Sequence, residues 1–523
     1  MRNDGFMKNS LTQYLPSGYK FVLLLGIFLS TATALGLVAA QQPLFALVGV
    51  ALIPLVLAIV LIPDAPTLVV IAVMYSNAAV IAVQFHHVPL VIGAAVPGLL
   101  FIPLASYLIF HRQKFVATAA LVPIIVFHLI QIFSALFSKD IGIAFQNWID
   151  YLIEGLFLYF IITNVVRSLA TLRRVVWVLL IVGGLIGALG FYQLMTETYN
   201  NNYGGFAQVS NAAFDTGETT LYGQVEQPRL AGTVGEVNRH AQTLLMLVPL
   251  GLFLLWGERS KVLRVIMALL TGFSLLSVAV TFSRGAAVGF VVMIVVMVFM
   301  RYIRLQQMIV VLLGILLLTV VLPQYTARIV NIQRIVGLVA ESDTVTQDTK
   351  ADGALQGRAN EMMTALLVFS DYPLLGVGPH MFPYYYQEYS KDADFKRHQG
   401  ADREAHNLYL GIAADNGIIG LLCFMAIFYV TLRDLVLARK RWVDSRPDLA
   451  NMATGFILAI VVYLATGLGV HFSFIRFFWI IMALANSMIY IAGCEAKAST
   501  QRLESTARLT SEQGLALSLA STR

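Results

Sequence analysis

Residues 21–62 read FVLLLGIFLSTATALGLVAA, then Gln41-Gln42, then PLFALVGVALIPLVLAIVLI. Each run is about as long as a helix needs to cross a bilayer, roughly 20 residues. The basic flank of Arg2, Lys8 and Lys20, with Val38-Ala39-Ala40 near the end of the first run, imitates a secretion signal. The second run follows at once, however, so an uncleaved first span is the better reading. Similar apolar blocks recur along all 523 residues: 58% of the chain is hydrophobic, only 12% is charged, and the mean hydropathy is +0.76. Soluble domains carry about 25% charged residues. A soluble enzyme, a nucleic-acid binder and a secreted disulfide scaffold are excluded together. The two cysteines, Cys423 and Cys494, lie in or beside apolar blocks and offer no disulfide framework.

Fourteen blocks are long enough to span: 20–40, 43–62, 67–84, 89–110, 115–137, 149–166, 175–195, 240–256, 265–282, 285–300, 307–323, 405–431, 452–470 and 474–493. An even number puts both termini on one side, and positive charge marks the cytoplasmic side. With cytoplasmic termini, the inner segments hold 22 of the 35 Lys and Arg and 9 of the 29 acidic residues. The inner face is then +13 and the outer face −7, summing to the formal +6. The expected order is N-terminal transmembrane helices (1–195), a first periplasmic loop (196–239), central helices (240–323), a large periplasmic loop (324–404), C-terminal helices (405–493) and a cytoplasmic tail (494–523), read as a helix or as disorder. Loops as long as the two outer ones are usually functional or disordered. The inner loops are short and basic, without a GxxxxGK[ST] phosphate loop, so the chemistry is expected on the outer side, without ATP.

Outer-side cations run against that charge bias, and each asks for a reason. Arg284 stands in Thr281-Phe282-Ser283-Arg284-Gly285, a hinge almost too short to be a loop. Its planar fork would suit a phosphate at the membrane edge, although arginines also snorkel to headgroups. Arg229 and Arg239 end the first outer loop. Arg358 opens a stretch in which Met362, Ala365, Leu366 and Phe369 follow at helical spacing, as on an amphipathic surface helix. Arginines converging from three segments would suit a polyanion such as pyrophosphate. His406, where the large loop re-enters the membrane, can take a proton from an attacking hydroxyl, or be simply interfacial. The other histidines, His380 and His471 among them, read as structural, and no HxxxH or CxxC spacing supports a metal site. Tyr384, Tyr385, Tyr386 and Tyr389 can stack on sugars or anchor the interface. Within the spans the main ionisable groups are Glu154 and His128, with Asp150 near a span end. A coupled transporter normally carries more.

The segment HNLYLGIAADNGIIG, in which His406-Asn407 is followed at fixed spacing by Gly417 and Gly420, resembles a signature of the bacterial O-antigen ligase and O-antigen polymerase superfamily. Gly357-Arg358 followed by Pro373-Leu374-Leu375-Gly376-Val377-Gly378 resembles the family's large loop. Ser283-Arg284-Gly285 is similar to its hinge, and Arg229-Leu230-Ala231-Gly232-Thr233 to its arginine after the first loop. These matches cover roughly residues 225–480. Gly235-Glu236-Val237-Asn238 stands where many members carry Asn-Pro-Asn, and Asp415-Asn416-Gly417 replaces a more common Glu-x-Gly. Members usually have about a dozen spans.

The resemblance implies an all-α polytopic membrane protein of about 12–14 transmembrane helices with a large, partly helical periplasmic loop, similar to the GT-C class. It also implies an inverting, metal-independent glycosyltransferase of the bacterial inner membrane, needing no cofactor. The donor would be a glycan on undecaprenyl pyrophosphate, the acceptor a hydroxyl of lipid A-core or of another glycan. His406 would be the catalytic base, Arg229, Arg284 and Arg358 would hold the pyrophosphate, and Asn407 would fix the loop or bond a sugar. O-antigen ligation is the leading expectation. A polymerase of O-antigen or exopolysaccharide repeat units is the alternative within the superfamily, beside transfer to protein hydroxyls, and a transporter or flippase is the alternative outside it.

Overall fold

A computed structural model of the chain describes residues 64–211, 228–310, 313, 353–391, 403–473 and 475–521. The expected spans 20–40 and 43–62, and most of 307–323, lie outside these residues. In chain order the described helices are α1 (Ala65–Tyr75), α2 (Ala78–His86), α3 (Leu90–Phe110), α4 (Leu121–Leu136), α5 (Ile141–Val165), α6 (Leu169–Met195), α7 (Val237–Gly257), α8 (Lys261–Val280), α9 (Arg284–Phe299), α10 (Gly353–Asp371), α11 (Phe382–Tyr389), α12 (Leu408–Trp442), α13 (Pro447–Gly469) and α14 (Ile475–Ser521). Eight of them are long and apolar enough to cross a membrane, nine if α1 and α2, bent by 56° at Asn77, form one broken span. Shorter apolar helices, α4 and α9, fill two further expected positions. The chain is an all-α polytopic membrane protein. The connection between α6 and α7 departs from pure helix: β1 (Gln208–Asn211) pairs antiparallel with β2 (Pro228–Gly232), setting Ser210 opposite Arg229.

Helix starts follow local chemistry. Asp140, Ser168, Ser260, Ser283 and Asn407 each accept a bond from a backbone N–H of the first turn of α5, α6, α8, α9 and α12, satisfying donors that a helix N-terminus leaves open. Between spans, where lipid removes the hydrophobic drive, close packing of small residues holds helices together. A Cβ on Gly187 of α6 would come within 2.4 Å of the Phe273 carbonyl oxygen of α8, so a larger residue cannot stand there. At the centre α7 and α13 are mostly buried, and apolar side chains such as Val262, Leu269 and Phe299 face outward.

The polar contacts sort to the two ends of the bundle. At one end Arg174 pairs with Asp64, Arg173 with Glu258 (3.6 Å) and Arg446 with Glu495 (3.3 Å). At the other, Lys139 pairs with Glu388 (3.3 Å), and His86 Nε2 lies 2.9 Å from the Gly204 carbonyl. Each contact joins segments that the charge count puts on one side. The second end carries His406.

Candidate active site

Two of the quoted motifs are one structural joint. Gly417 has φ 65° and ψ −172°, which breaks α12 ten residues after its cap. The Pro373–Gly378 segment runs along the break and bonds to it backbone to backbone. Val377 N–H donates to Ala414 (3.0 Å), Gly378 N–H to Asp415 (2.9 Å), and Ile418 N–H to the Pro373 carbonyl (2.8 Å). A Cβ at Gly417 would meet the Leu374 oxygen at 2.1 Å, and one at Gly376 would meet Asn416 N at 2.4 Å. Asp415 Oδ1 accepts from Phe382 N–H (2.8 Å) and so seats α11. The joint clamps the large loop to α12 just below His406.

His406 itself lies at φ 43°, a left-handed backbone that few non-glycine residues adopt, histidine more often than most. Its Nε2 is 3.7 Å from Glu361 Oε2, and its ring meets His471 edge-on at 5.4 Å. Nδ1 is buried with no hydrogen-bond partner among the described residues. Burial, then the charges of Arg358, Arg403 and Arg239, push its pKa down to about 3. The ring is neutral at physiological pH. Burial also lifts the carboxyl of Glu404 above the usual range, against the pull of His380 and Arg239. His380 Nε2 lies 3.4 Å from Glu404 Oε1.

Of the residues expected from sequence, Arg358 and His406 come together, with Arg358 acting electrostatically on the ring. Arg229 is 7% exposed and donates from Nε and Nη2 to the Thr281 carbonyl (3.1 and 3.0 Å), tying β2 to the hinge. Ser283 caps α9 and donates to Asn238 Oδ1 (2.9 Å), next to Arg239. Arg284 thus starts α9 beside the first turn of α7. The end of α13 bridges the two halves: a Cβ on Gly285 would lie 3.7 Å from the Thr466 oxygen, while Leu408 packs on Gly467. Asn407 caps α12, accepting from Tyr409 N–H and Leu410 N–H (both 3.0 Å) and donating to the Leu468 carbonyl (3.2 Å).

Four participants had no role assigned from sequence, although Arg239 was singled out there as an outer cation. Arg239 is 2% exposed; it donates to Gln242 Oε1 (2.7 Å), Ser473 Oγ (3.0 Å) and the His471 carbonyl. Glu361 is buried between Arg403 (3.8 Å) and His406. Arg403 and His471 complete the group. The spacing of Arg358 and Glu361, three apart on one helix, was a usable signal, as was a charge at Arg239 inside the first turn of a span. The face of α10 differs from the expected one. Asn360, Glu361, Thr364, Ala365 and Val368 are buried, whereas Leu366 is 47% exposed. Polar partners drew that face inward: Asn360 Nδ2 donates to the Tyr386 hydroxyl (2.8 Å). Tyr385 and Tyr386 are packed inside the loop, and Tyr384 is the exposed ring of the cluster. Among the described residues, no three His, Cys, Asp or Glu gather as metal ligands.

No curated protein matches the chain. Residues 269–425 match the family described as O-antigen ligase, and this stretch contains Arg284, Arg358, the joint, His406 and Asn407. Over 269–425 the chain is therefore similar to the O-antigen ligase family, in the same order of motifs that carries the resemblance read from the sequence.

Proposed function

We propose that the protein transfers a glycan from undecaprenyl pyrophosphate to an acceptor hydroxyl at the outer face of a bacterial inner membrane, with both termini cytoplasmic, and that the reaction is ligation of O-antigen to lipid A-core. The observation that carries this reading is the gathering of three guanidiniums, Arg358, Arg403 and Arg239, around a neutral imidazole at one end of the bundle. Cations fixed where charge develops stabilise a leaving pyrophosphate, and a neutral ring can receive a proton.

In this mechanism Arg358 and Arg284 grip the pyrophosphate. The acceptor oxygen attacks the anomeric carbon from the face opposite the phosphate. The new C–O bond forms as the C–O bond to pyrophosphate breaks, inverting the centre and releasing undecaprenyl pyrophosphate. The hydroxyl proton passes to His406 Nε2, and the Glu361 carboxylate offsets the charge of the imidazolium. With so low a pKa, the free ring is a weak base. A bound pyrophosphate neutralises the surrounding arginines and raises the ring's proton affinity when the donor is in place. Arg229 serves by position, holding the hinge; Arg239 holds the His471 turn and, with Arg403, adds positive charge beside the ring; Asn407 sets the start of α12. Pyrophosphate is a good leaving group without a metal, which supports a metal-independent transfer.

The test uses purified protein and a fluorescent undecaprenyl-pyrophosphate oligosaccharide, with and without lipid A-core. Glycan on lipid A-core, formed only when that acceptor is present, is the expected result. A ladder grown from donor alone would instead identify a repeat-unit polymerase. His406→Ala should lower kcat by about 10²–10⁴-fold, the usual contribution of a positioned base. No turnover by folded wild-type protein would return the weight to transport.

A further inference from the structure

A concavity opens beside the arginine–histidine cluster and takes no part in the chemistry above. It encloses about 180 Å³ between α5 and the turn leading into α14, with Asp150, Tyr151, Glu154, His380, Phe472 and Ser473 on its walls. Asp150 and Glu154 are four residues apart, hence on one helix face. Between them and beyond, from Leu152 to Phe157, α5 widens into a π-helical turn, an irregularity frequent at functional sites. Arg476 Nη1 holds Glu154 Oε1 at 3.3 Å. The Tyr151 ring packs on His380 and Phe472, with centroids 6.4 and 5.6 Å away. Asn147 Nδ2 donates to the carbonyls of Pro379 and His380 (3.2 and 3.3 Å), fixing that wall.

The cleft shares two walls with the His406 cluster. His380 faces Glu404 on the other side, and Ser473 Oγ accepts from Arg239. Charge is therefore uneven: three guanidiniums surround the ring on the His406 side, while this side carries Asp150 and the Glu154–Arg476 pair. A sugar ring presents hydroxyl donors around an apolar CH face. Carboxylates accept the former, aromatic rings cover the latter, and the volume holds one ring rather than an oligosaccharide. Asp150, which forms no ion pair among the described residues, repels phosphate and uronate groups and so disfavours the donor's pyrophosphate in this half of the site, while Arg476 offsets the charge of Glu154.

We propose that this cleft is the acceptor subsite and that it selects an uncharged or amino sugar at the end of the acceptor glycan, its hydroxyls donating to Asp150 and Glu154. The assignment rests on the glycan-transfer reading. Its test is binding, which needs no turnover: full-length protein in nanodiscs is titrated with fluorescent lipid A-core ending in a neutral hexose, and separately with inorganic pyrophosphate. Asp150→Asn and Glu154→Gln should each weaken acceptor binding at least tenfold and leave pyrophosphate binding within twofold, which also shows that the variants are folded. A terminal sugar oxidised to a uronate should bind wild type at least tenfold more weakly, and Asp150→Asn should narrow that gap. Unchanged acceptor affinity in both variants, or no acceptor binding by wild type, would overturn the subsite. Carboxylate-dependent binding by a wild-type protein that transfers nothing would instead sink the transferase reading and leave the subsite standing.

Discussion

His406 combines a strained backbone, a half-enclosed ring and three nearby positive charges. Residues kept in a sparsely populated conformation cost about 1–3 kcal/mol and persist where their surroundings over-determine them; here Asn407, capping α12 one residue later, does so. Replacing Asn407 by Ala should therefore cost about 1 kcal/mol of stability, seen as a lower Tm, and should reduce kcat by misplacing His406. The depressed pKa has two consequences. The profile of kcat/KM, which reports the free enzyme, should show no acid limb near pH 6.5 from this ring, whereas a break there would contradict the assigned environment. Arg358→Gln removes a charge that lowers the pKa, so the His406 imidazole signal in NMR should titrate at higher pH than in wild type. For stability the sign is the same as for any histidine refused a proton on folding. The ring's contribution is full above about pH 6.5, the unfolded value, and is lost as pH falls towards 3 because the unfolded chain alone takes up the proton.

At the scale of elements, the joint between Pro373–Gly378 and the break in α12 is what brings the large loop to the membrane edge. Gly417 occupies a region of φ and ψ that is essentially confined to glycine, and its neighbour is backbone, which cannot swing aside. Gly417→Ala should unseat the loop: a drop in Tm, faster proteolysis within 353–391, and loss of activity although no reacting group is touched. An activity and Tm equal to wild type would show that the joint does not organise the site. The helical period over 358–369 was legible in the sequence. Its inward face was not, because Asn360 and Glu361 turn in to meet Tyr386, Arg403 and His406, partners remote in sequence.

For the whole molecule, the separation of contacts into two ends predicts a labelling pattern. In a Cys494→Ser background, an impermeant thiol reagent should modify Tyr384→Cys in cells with a permeabilised outer membrane, and Lys440→Cys only after the inner membrane is opened. The reverse would invert the orientation while keeping the fold. Among the described residues, helix positions, the residues that cap them and the Lys and Arg of each loop are features the chain itself carries. Each depends on local quantities: apolar length against bilayer thickness, a side-chain oxygen near four open N–H groups, and the count of Lys and Arg per loop. The residues of the two glycine motifs and the arginines were readable as well, but not their division of labour. Arg229 bonds the Thr281 carbonyl and Asn407 caps α12, whereas Glu361 and His471 lie against His406 and Arg239 bonds the His471 carbonyl, because α7, α10, α12 and the turn between α13 and α14 come together there. The carboxylate-lined cleft across from them was equally hidden, since Asp150 and His380 are brought together only by the packing of α5 against the loop. Periodicity and charge act along the chain and so determined the membrane architecture, whereas the site depends on which helix ends converge, and only tertiary packing decides that.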